Sequence, residues 1–339
     1  MRAGEANSAR PYVSIVIPVF NEEATLAALF ARLYPTLDEL DCSYECVFID
    51  DGSRDRSVAL LRAQQQARPR ETRVIIFQRN FGQHAAILAG FERSSGEFVI
   101  TIDADLQNPP EEIPNLIAQA RAGHDYVGTI RRGRQDHWAR RVLSRLINGI
   151  RERTTQIRIT DQGCMLRGYS RSVVDAVNAT QEVNTFIPAL AYLYARNPVE
   201  IEVAHEARHA GTSKYSFYKL IRLNFDLMTG FTVVPLQLFS MLGMIVAGLS
   251  GALFILLLVR RILYGPDVEG VFTLFALSFF FTGMALFGIG LIGEYVGRTY
   301  EQVRGRPRYL IAGVLEGDAA PGIPHQIPQQ TEVREARRV

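Results

Sequence analysis

Cysteine is scarce in this chain: three among 339 residues, Cys42, Cys46 and Cys164, with neither C-x-x-C pairs nor zinc-ligand spacing. That excludes a disulfide-stapled scaffold and a zinc ribbon, and leaves the thiols as structural groups, reduced in a cytosolic setting. Tryptophan occurs once, as Trp138 in D-H-W-A-R. Net charge is almost absent: 37 Lys and Arg against 35 Asp and Glu give a formal +2, so bulk charge does not point to nucleic acid. No internal repeat is found. No charged-then-apolar signal segment precedes the first apolar run, so the first domain is expected to stay in the cytosol.

Charge is missing in a second, local sense. Residues 233–259 and 271–292 contain no Asp, Glu, Lys or Arg. Each exceeds the roughly 20 residues needed to cross the hydrocarbon core, so two transmembrane helices are expected. Arg208, Lys214, Lys219 and Arg222 precede the first run, and Arg298, Arg304, Arg306 and Arg308 follow the second, whereas Arg260 and Arg261 alone lie between them. That bias puts both ends on the cytoplasmic side.

The rest of the chain is mixed in charge and alternates two periods. Y-V-S-I-V-I-P-V-F, Y-E-C-V-F-I-D-D, R-V-I-I-F and F-V-I-T-I read as buried strands. Between them N-E-E-A-T-L-A-A-L-F-A-R-L, starting with a capping residue and acids, S-V-A-L-L-R-A-Q-Q-Q-A-R and G-Q-H-A-A-I-L-A-G-F read as helices. Such alternation implies βαβ units and a mostly parallel sheet with ligands at its carboxyl edge. Polar residues stand at each strand end: Asn21 and Glu22, Asp50 and Asp51, Asn80, Asp103 and Asp105. Residues 139–153 form an apolar stripe flanked by arginines, suited to a membrane interface, and 214–228 are similar. The expected organisation is a flexible 1–11, an α/β domain over 12–212, juxtamembrane helices over 213–232, spans at 233–259 and 271–292, and a periplasmic loop at 260–270. A cytosolic tail follows over 293–339, disordered beyond about 312.

I-D-A-D-L-Q-N-P-P ends the fourth strand with two carboxylates and an amide at alternate positions. If the backbone stays extended, Asp103, Asp105 and Gln107 share one face. Three hard oxygen ligands suit Mg²⁺ or Mn²⁺ with a phosphate completing the shell. The competing interpretation is a polar loop with a helix-capping aspartate.

V-S-I-V-I-P-V-F-N-E-E, F-I-D-D-G-S-R-D and I-D-A-D-L-Q together resemble the family 2 glycosyltransferases of GT-A fold. R-N-F-G-Q-H-A-A-I-L-A-G-F and D-A-D-L-Q-N-P-P-E-E-I-P narrow the resemblance to polyprenyl-phosphate glycosyltransferases similar to dolichol-phosphate mannose synthase. G-T-I-R-R-G-R-Q-D, D-Q-G-C-M-L-R-G-Y, G-T-S-K-Y-S-F and G-E-Y-V-G-R-T-Y narrow it to the branch that loads a formamido-arabinose in bacterial lipid A modification and polymyxin resistance. The resemblance runs from about residue 12 to 310. It implies a GT-A catalytic domain on two transmembrane helices in the bacterial inner membrane, a UDP-sugar donor, undecaprenyl phosphate as acceptor, and a homo-oligomer, plausibly a tetramer. Glucose or mannose on the same carrier is the nearest alternative, and a membrane scaffold or carrier-lipid flippase subunit a more distant one. A processive polysaccharide synthase would need a Q-x-x-R-W element, which Trp138 does not supply.

By the same resemblance, Pro18, Phe20, Asn21, Glu22, Asp50 and Ser53 hold the uridine, with Asp50 accepting from the uracil N3–H. Asn80, Gly82 and Gln83 open a helix whose N–H groups face the diphosphate, and Asp103, Ala104 and Asp105 complete the nucleotide site. Asp103, Asp105 and Gln107 hold the metal. Arg131, Arg140 and Ser144 hold the acceptor phosphate, and Arg208, Ser213 and Lys214 lie on a mobile loop. His84 is expected to pack rather than bind. Asp161 takes the place of a catalytic base. A phosphate monoester with a second pKa near ~6 is already ionised at neutral pH, so Asp161 is expected to orient a substrate or steady an arginine as much as to accept a proton.

Overall fold

The structure, a computed structural model, describes residues 10–132, 159–161, 163–180, 186–206, 229, 233–264 and 271–317. Eight strands form one sheet in the order β7-β5-β6-β4-β1-β2-β3-β8. The four strands read from sequence lie at its centre: β1 Val13–Val19, β2 Tyr44–Asp50, β3 Thr72–Phe77 and β4 Phe98–Thr101. They are parallel to one another, so all their carboxyl ends share one edge. The chain passes from β3 back to the far side of β1 to lay down β4, and the resulting switch point lies between β1 and β4.

Pro18 fits only because of that switch. Val16 accepts from Ile102 on the β4 side and Val19 from Asp51 on the β2 side. Pro18, two on from Val16, therefore turns its missing N–H toward β4, whose pairing with β1 ends at Val16 and Thr101. No ladder bond is lost there.

Helices cover both faces. α1 Leu26–Asp38, α2 Ser57–Ala67 and α4 Ile113–Arg121 lie on one side, with Leu26, Leu29, Leu33, Leu61, Ile113 and Leu116 in its core. α3 Gln83–Arg93, α5 Arg171–Ala179 and α6 Ile187–Tyr194 lie on the other, around Ile87, Phe91, Val173, Val174 and Leu190. A 3₁₀ turn, Pro110–Glu112, leads into α4.

Four strands were not foreseen. β5 Tyr126–Arg131 and β7 Pro198–Val203 pair in parallel, while β6 Arg167–Ser170 runs antiparallel to β4 and β5. β5 and β7 thus end, and β6 begins, at the same edge as the central strands' carboxyl ends. The fourth is β8, Ile311–Leu315, antiparallel to β3. It corrects the expectation of disorder beyond about 312: Phe77 stacks on Tyr309 at 4.9 Å, and Gln78 N–H donates to the Leu310 carbonyl at 2.9 Å.

Two long helices leave the sheet, α7 Val234–Tyr264 and α8 Val271–Val303. α7 outlasts the apolar run and carries Arg260 and Arg261 in its last turns, so the connecting segment is shorter than expected; α8 likewise runs past residue 292. The helices touch where Phe239 meets Phe287 and Gly288. Their outer faces are apolar and bare, with Met244 67% and Ile262 75% exposed, a surface that water does not tolerate at this extent. Among the described residues, Leu277–Val303 is long and apolar enough to cross a membrane, and Leu236–Val246 is a shorter apolar stretch.

Candidate active site

The ends of β1 and β2 are sewn together. Asn21 sits at φ 54, a left-handed conformation in which its N–H donates to Ser53 Oγ at 3.0 Å and its Oδ1 accepts from Arg54 N–H at 2.9 Å. It caps no helix; α1 starts at Leu26 after Thr25. Glu22 N–H donates to Ser57 Oγ, and its carboxylate accepts from Thr25 Oγ1 at 2.7 Å. Asp50 is fully buried. Its Oδ2 accepts from Ser53 N–H at 3.0 Å, whereas Oδ1 has no hydrogen-bond partner among the described residues. Burial pushes this carboxyl above its ordinary pKa. A sealed carboxylate oxygen without a donor is costly and is what a nucleobase N–H would satisfy. Phe20, 43% exposed and next to Val19, the register partner of Asp50, and half-buried Pro18 offer an apolar surface.

Asp51 has the other role. Its two oxygens accept from the N–H groups of Phe81 at 2.6 Å and Gly82 at 2.9 Å, fixing the loop that carries exposed Asn80 into α3. Gly52, at φ 72, lets that loop approach: a Cβ there would lie 2.4 Å from the Arg79 carbonyl carbon. Gly82 precedes α3 without a side-chain cap, leaving the first N–H groups of the helix as an anion-facing end. His84 packs edge-on to Phe186 at 5.5 Å, as expected; its Nδ1 is sealed without a partner among the described residues, and burial pulls the imidazole down to about 4.

The D-A-D-L-Q segment departs from the expected extended backbone. β4 ends at Thr101, and Leu106 is left-handed at φ 61. That conformation costs roughly 1–2 kcal/mol for a side chain of this kind. The alternation is only partly kept in burial: Ala104 and Leu106 enter the core and Asp103 and Gln107 are half-buried, but Asp105 is buried as well. Asp103 Oδ1 accepts from the Gln83 amide at 2.6 Å, and Asp105 Oδ1 from Gln107 N–H at 3.1 Å. No group of three His, Cys, Asp or Glu side chains gathers among the described residues. Asp103 and Asp105 supply two carboxylates and Gln107 an amide oxygen, hard donors of the type that Mg²⁺ or Mn²⁺ takes alongside phosphate and water.

Across the switch point, the guanidinium of Arg131, the last residue of β5, forks onto Asp161: Nε to Oδ2 at 2.7 Å and Nη2 to Oδ1 at 2.9 Å. Asp161 is buried and Arg131 only partly so, so the pair presents a cation at the edge. Gly163 leaves room beside it: a Cβ there would meet Arg131 Nη2 at 2.8 Å and push on the fork. Beneath lies Arg167, fully buried, donating to the carbonyls of Cys164 at 2.9 Å and Asp161 at 2.5 Å and to the Tyr126 hydroxyl. Asp161, Gly163, Cys164 and Arg167 thus form a scaffold around the Arg131 guanidinium.

Sequence reasoning passed over three residues here. His205, just past β7, is exposed; burial first and the Arg131 cation second pull its imidazole below the ordinary value, against Asp161 and Asp105. Arg32 of α1 binds Glu111 and Glu206 together, each at 2.8 Å. Asp51 resembled its neighbour Asp50 too closely for the two roles to be told apart. Arg140, Ser144, Arg208, Ser213 and Lys214, with the basic stretches 139–153 and 214–228, lie outside the described residues.

The sequence profile of Glycosyl transferase family 2 matches residues 14–177. Relatives from Aeromonas hydrophila, Edwardsiella ictaluri and Shewanella sediminis, each an undecaprenyl-phosphate 4-deoxy-4-formamido-L-arabinose transferase, are 49%, 49% and 50% identical. The matches cover 91%, 91% and 92% of this chain and 95% of each relative. A solved structure of similar outline is glucosyl-3-phosphoglycerate synthase from Mycobacterium tuberculosis with Mn²⁺, UDP and glucosyl-3-phosphoglycerate. It gives a TM-score of 0.48 at 17% identity, over 65% of this chain and 78% of that one.

Proposed function

The chain belongs to glycosyltransferase family 2, and from that premise we propose that it transfers 4-deoxy-4-formamido-L-arabinose from its UDP-sugar to undecaprenyl phosphate. The observation that carries the proposal is an identity of about half across nine tenths of the chain with transferases of that name. The reaction would lie on the cytoplasmic face of the bacterial inner membrane and feed lipid A modification and polymyxin resistance.

Uracil sits against Pro18 and Phe20 and gives its N3–H to Asp50, whose buried Oδ1 otherwise has no donor among the described residues. The diphosphate meets the amino end of α3 through the loop of Asn80 and Gly82. Asp103, Asp105 and Gln107 would hold Mg²⁺ or Mn²⁺, which when bound neutralises charge on the departing diphosphate. Arg131, with Arg140 and Ser144, holds the lipid phosphate; an arginine fork suits its oxygens. Asp161 fixes the fork in place. One phosphate oxygen attacks the anomeric carbon as the bond to UDP breaks, inverting that centre. The oxygen is already ionised near neutrality, so placement contributes more than proton removal. Arg208, Ser213 and Lys214 would close over both substrates.

Purified protein supplied with a panel of UDP-sugars and short polyprenyl phosphates tests this, with UDP release and product mass followed with and without Mn²⁺. The formamido-arabinose donor should be preferred, and release should need both acceptor and divalent ion. Preference for UDP-glucose would reassign the sugar, full activity in excess chelator would remove the metal, and inactivity with every pair would leave a scaffold.

A further inference from the structure

The three residues after β7 are held unusually firmly for a strand end. Ala204 N–H donates to Glu112 Oε1 and Glu206 N–H to the Gln107 carbonyl, both at 2.9 Å. Two N–H groups two residues apart thus face one loop, as they do in an extended chain. The Glu206 carboxylate meets Arg32 through both terminal nitrogens, at 3.0 and 2.8 Å, and the same guanidinium takes Glu111 at 2.8 and 2.9 Å. Side chains two apart in an extended segment share a face, and the one between takes the other. With Glu206 turned to α1, His205 turns away from it, toward the carboxyl edge. The charges acting on its ring are those of Arg131, Asp161 and Asp105, and the Gln107 carbonyl is also a partner for it. Its side chain joins none of the hydrophobic core clusters and is exposed, so the backbone bonds alone would hold an alanine equally well.

We propose that His205 donates a hydrogen bond to the phosphate of the lipid acceptor beside Arg131, and that Arg32, through Glu206, is the positioning residue that turns it there. The assignment rests on the acceptor being a polyprenyl phosphate, as argued above. Arg131 commits Nε and Nη2 to Asp161. A phosphate lodged against that pair is bound more firmly with a further donor from the adjacent end of β7, where Val203 is the register partner of Arg131. A neutral imidazole carries one N–H, for which the phosphate competes with the Gln107 carbonyl, and the anion is the stronger acceptor. The same staple ties the D-A-D-L-Q-N-P-P loop to the exit from β7, so the donor-side loop and the acceptor-side histidine move as one unit.

Steady-state kinetics of the full-length protein in detergent, varying undecaprenyl phosphate and UDP-sugar separately, test it. His205→Ala should raise the KM for undecaprenyl phosphate by about tenfold or more, the scale of one hydrogen bond to a charged group. The KM for UDP-sugar and the melting temperature should stay put. His205→Gln, which keeps an N–H, should recover much of the loss. Arg32→Met should raise the acceptor KM in the same direction, and combined with His205→Ala should add little further. An unchanged acceptor KM in His205→Ala, an equal rise in both KM values, or a Gln variant as poor as Ala would overturn the assignment. Wild-type protein that ignores undecaprenyl phosphate but uses another acceptor would overturn the acceptor reading itself, before any variant is made.

Discussion

Asp161 and His84 show how single side chains divide between chemistry and support. Asp161 is buried and fully engaged: both oxygens grip Arg131, and Gly163 N–H donates to Oδ1 at 3.1 Å. A carboxylate so occupied is built to hold an arginine rather than to fetch a proton. Asp161→Asn keeps one acceptor of nearly the same shape and should retain measurable activity, down about 10–100-fold, the scale of one charge-assisted hydrogen bond. Asp161→Ala should do worse, because the fork is released entirely. Rates of both variants across pH 5.5–8.5 decide it: equal inactivity with nucleotide binding intact would return Asp161 to the role of base. For His84, the folded pKa of about 4 lies below the unfolded value near 6.5. Between those values the unfolded chain takes up a proton that the folded one refuses, so stability falls as pH drops from about 6.5 toward 4. The effect should reach about 2 kcal/mol by pH 5, and His84→Leu should flatten it in melting curves recorded from pH 7.5 to 5.

Among the elements, β8 is the one whose removal should matter most beyond expectation. It covers the β3 edge, and Tyr309 stacks on Phe77 while its hydroxyl reaches Glu92. Deleting residues 318–339 should leave melting and solubility unchanged. Tyr309→Ala should cost about 1–3 kcal/mol, and deletion from residue 308 should expose β3 and cause aggregation. Melting and pelleting in detergent check all three. The central strands were legible because each is a run of Val, Ile and Phe between turn residues. I-A-G-V-L was not, being short, interrupted by glycine and set in a tail rich in Pro and Gln. R-G-Y-S of β6 carries a buried arginine and no apolar alternation, so only its partners make it a strand. The polar residues at the ends of β1 to β4 were likewise readable, and the parallel strands bring them to one edge. His205 was not, because β7 alternates Val and Ile with acids and reads as an exposed segment. Nor could sequence separate Asp50 from Asp51, since adjacent side chains on opposite faces differ only in what the fold brings to each.

At the scale of the whole molecule, the sheet constrains the membrane. β7 ends at the carboxyl edge, and β8, antiparallel to β3, begins at that same edge. Both connections to the apolar helices therefore start from the side that carries Asp105, Arg131 and Asp161. Because β8 pairs with β3, residues 203 and 311 lie on one side of any membrane, and the chain between them crosses an even number of times. If α8 crosses, α7 must cross as well. α7 at 31 residues and α8 at 33 reach about 45–50 Å at 1.5 Å per residue, enough for a hydrocarbon core of about 30 Å with turns to spare. Arg260 and Arg261 then sit at the distal end of α7, where long basic side chains can reach the headgroups. Cysteine labelling in sealed inverted vesicles tests the count. The native background is low, since Cys46 and Cys164 are buried and Cys42 partly so. Arg306→Cys should react with a membrane-impermeant maleimide from the cytoplasmic side, and Asp267→Cys only after the vesicles are opened. Equal labelling of both positions in sealed vesicles would mean that neither helix crosses, and the bare apolar faces of α7 and α8 would then have to be covered by protein.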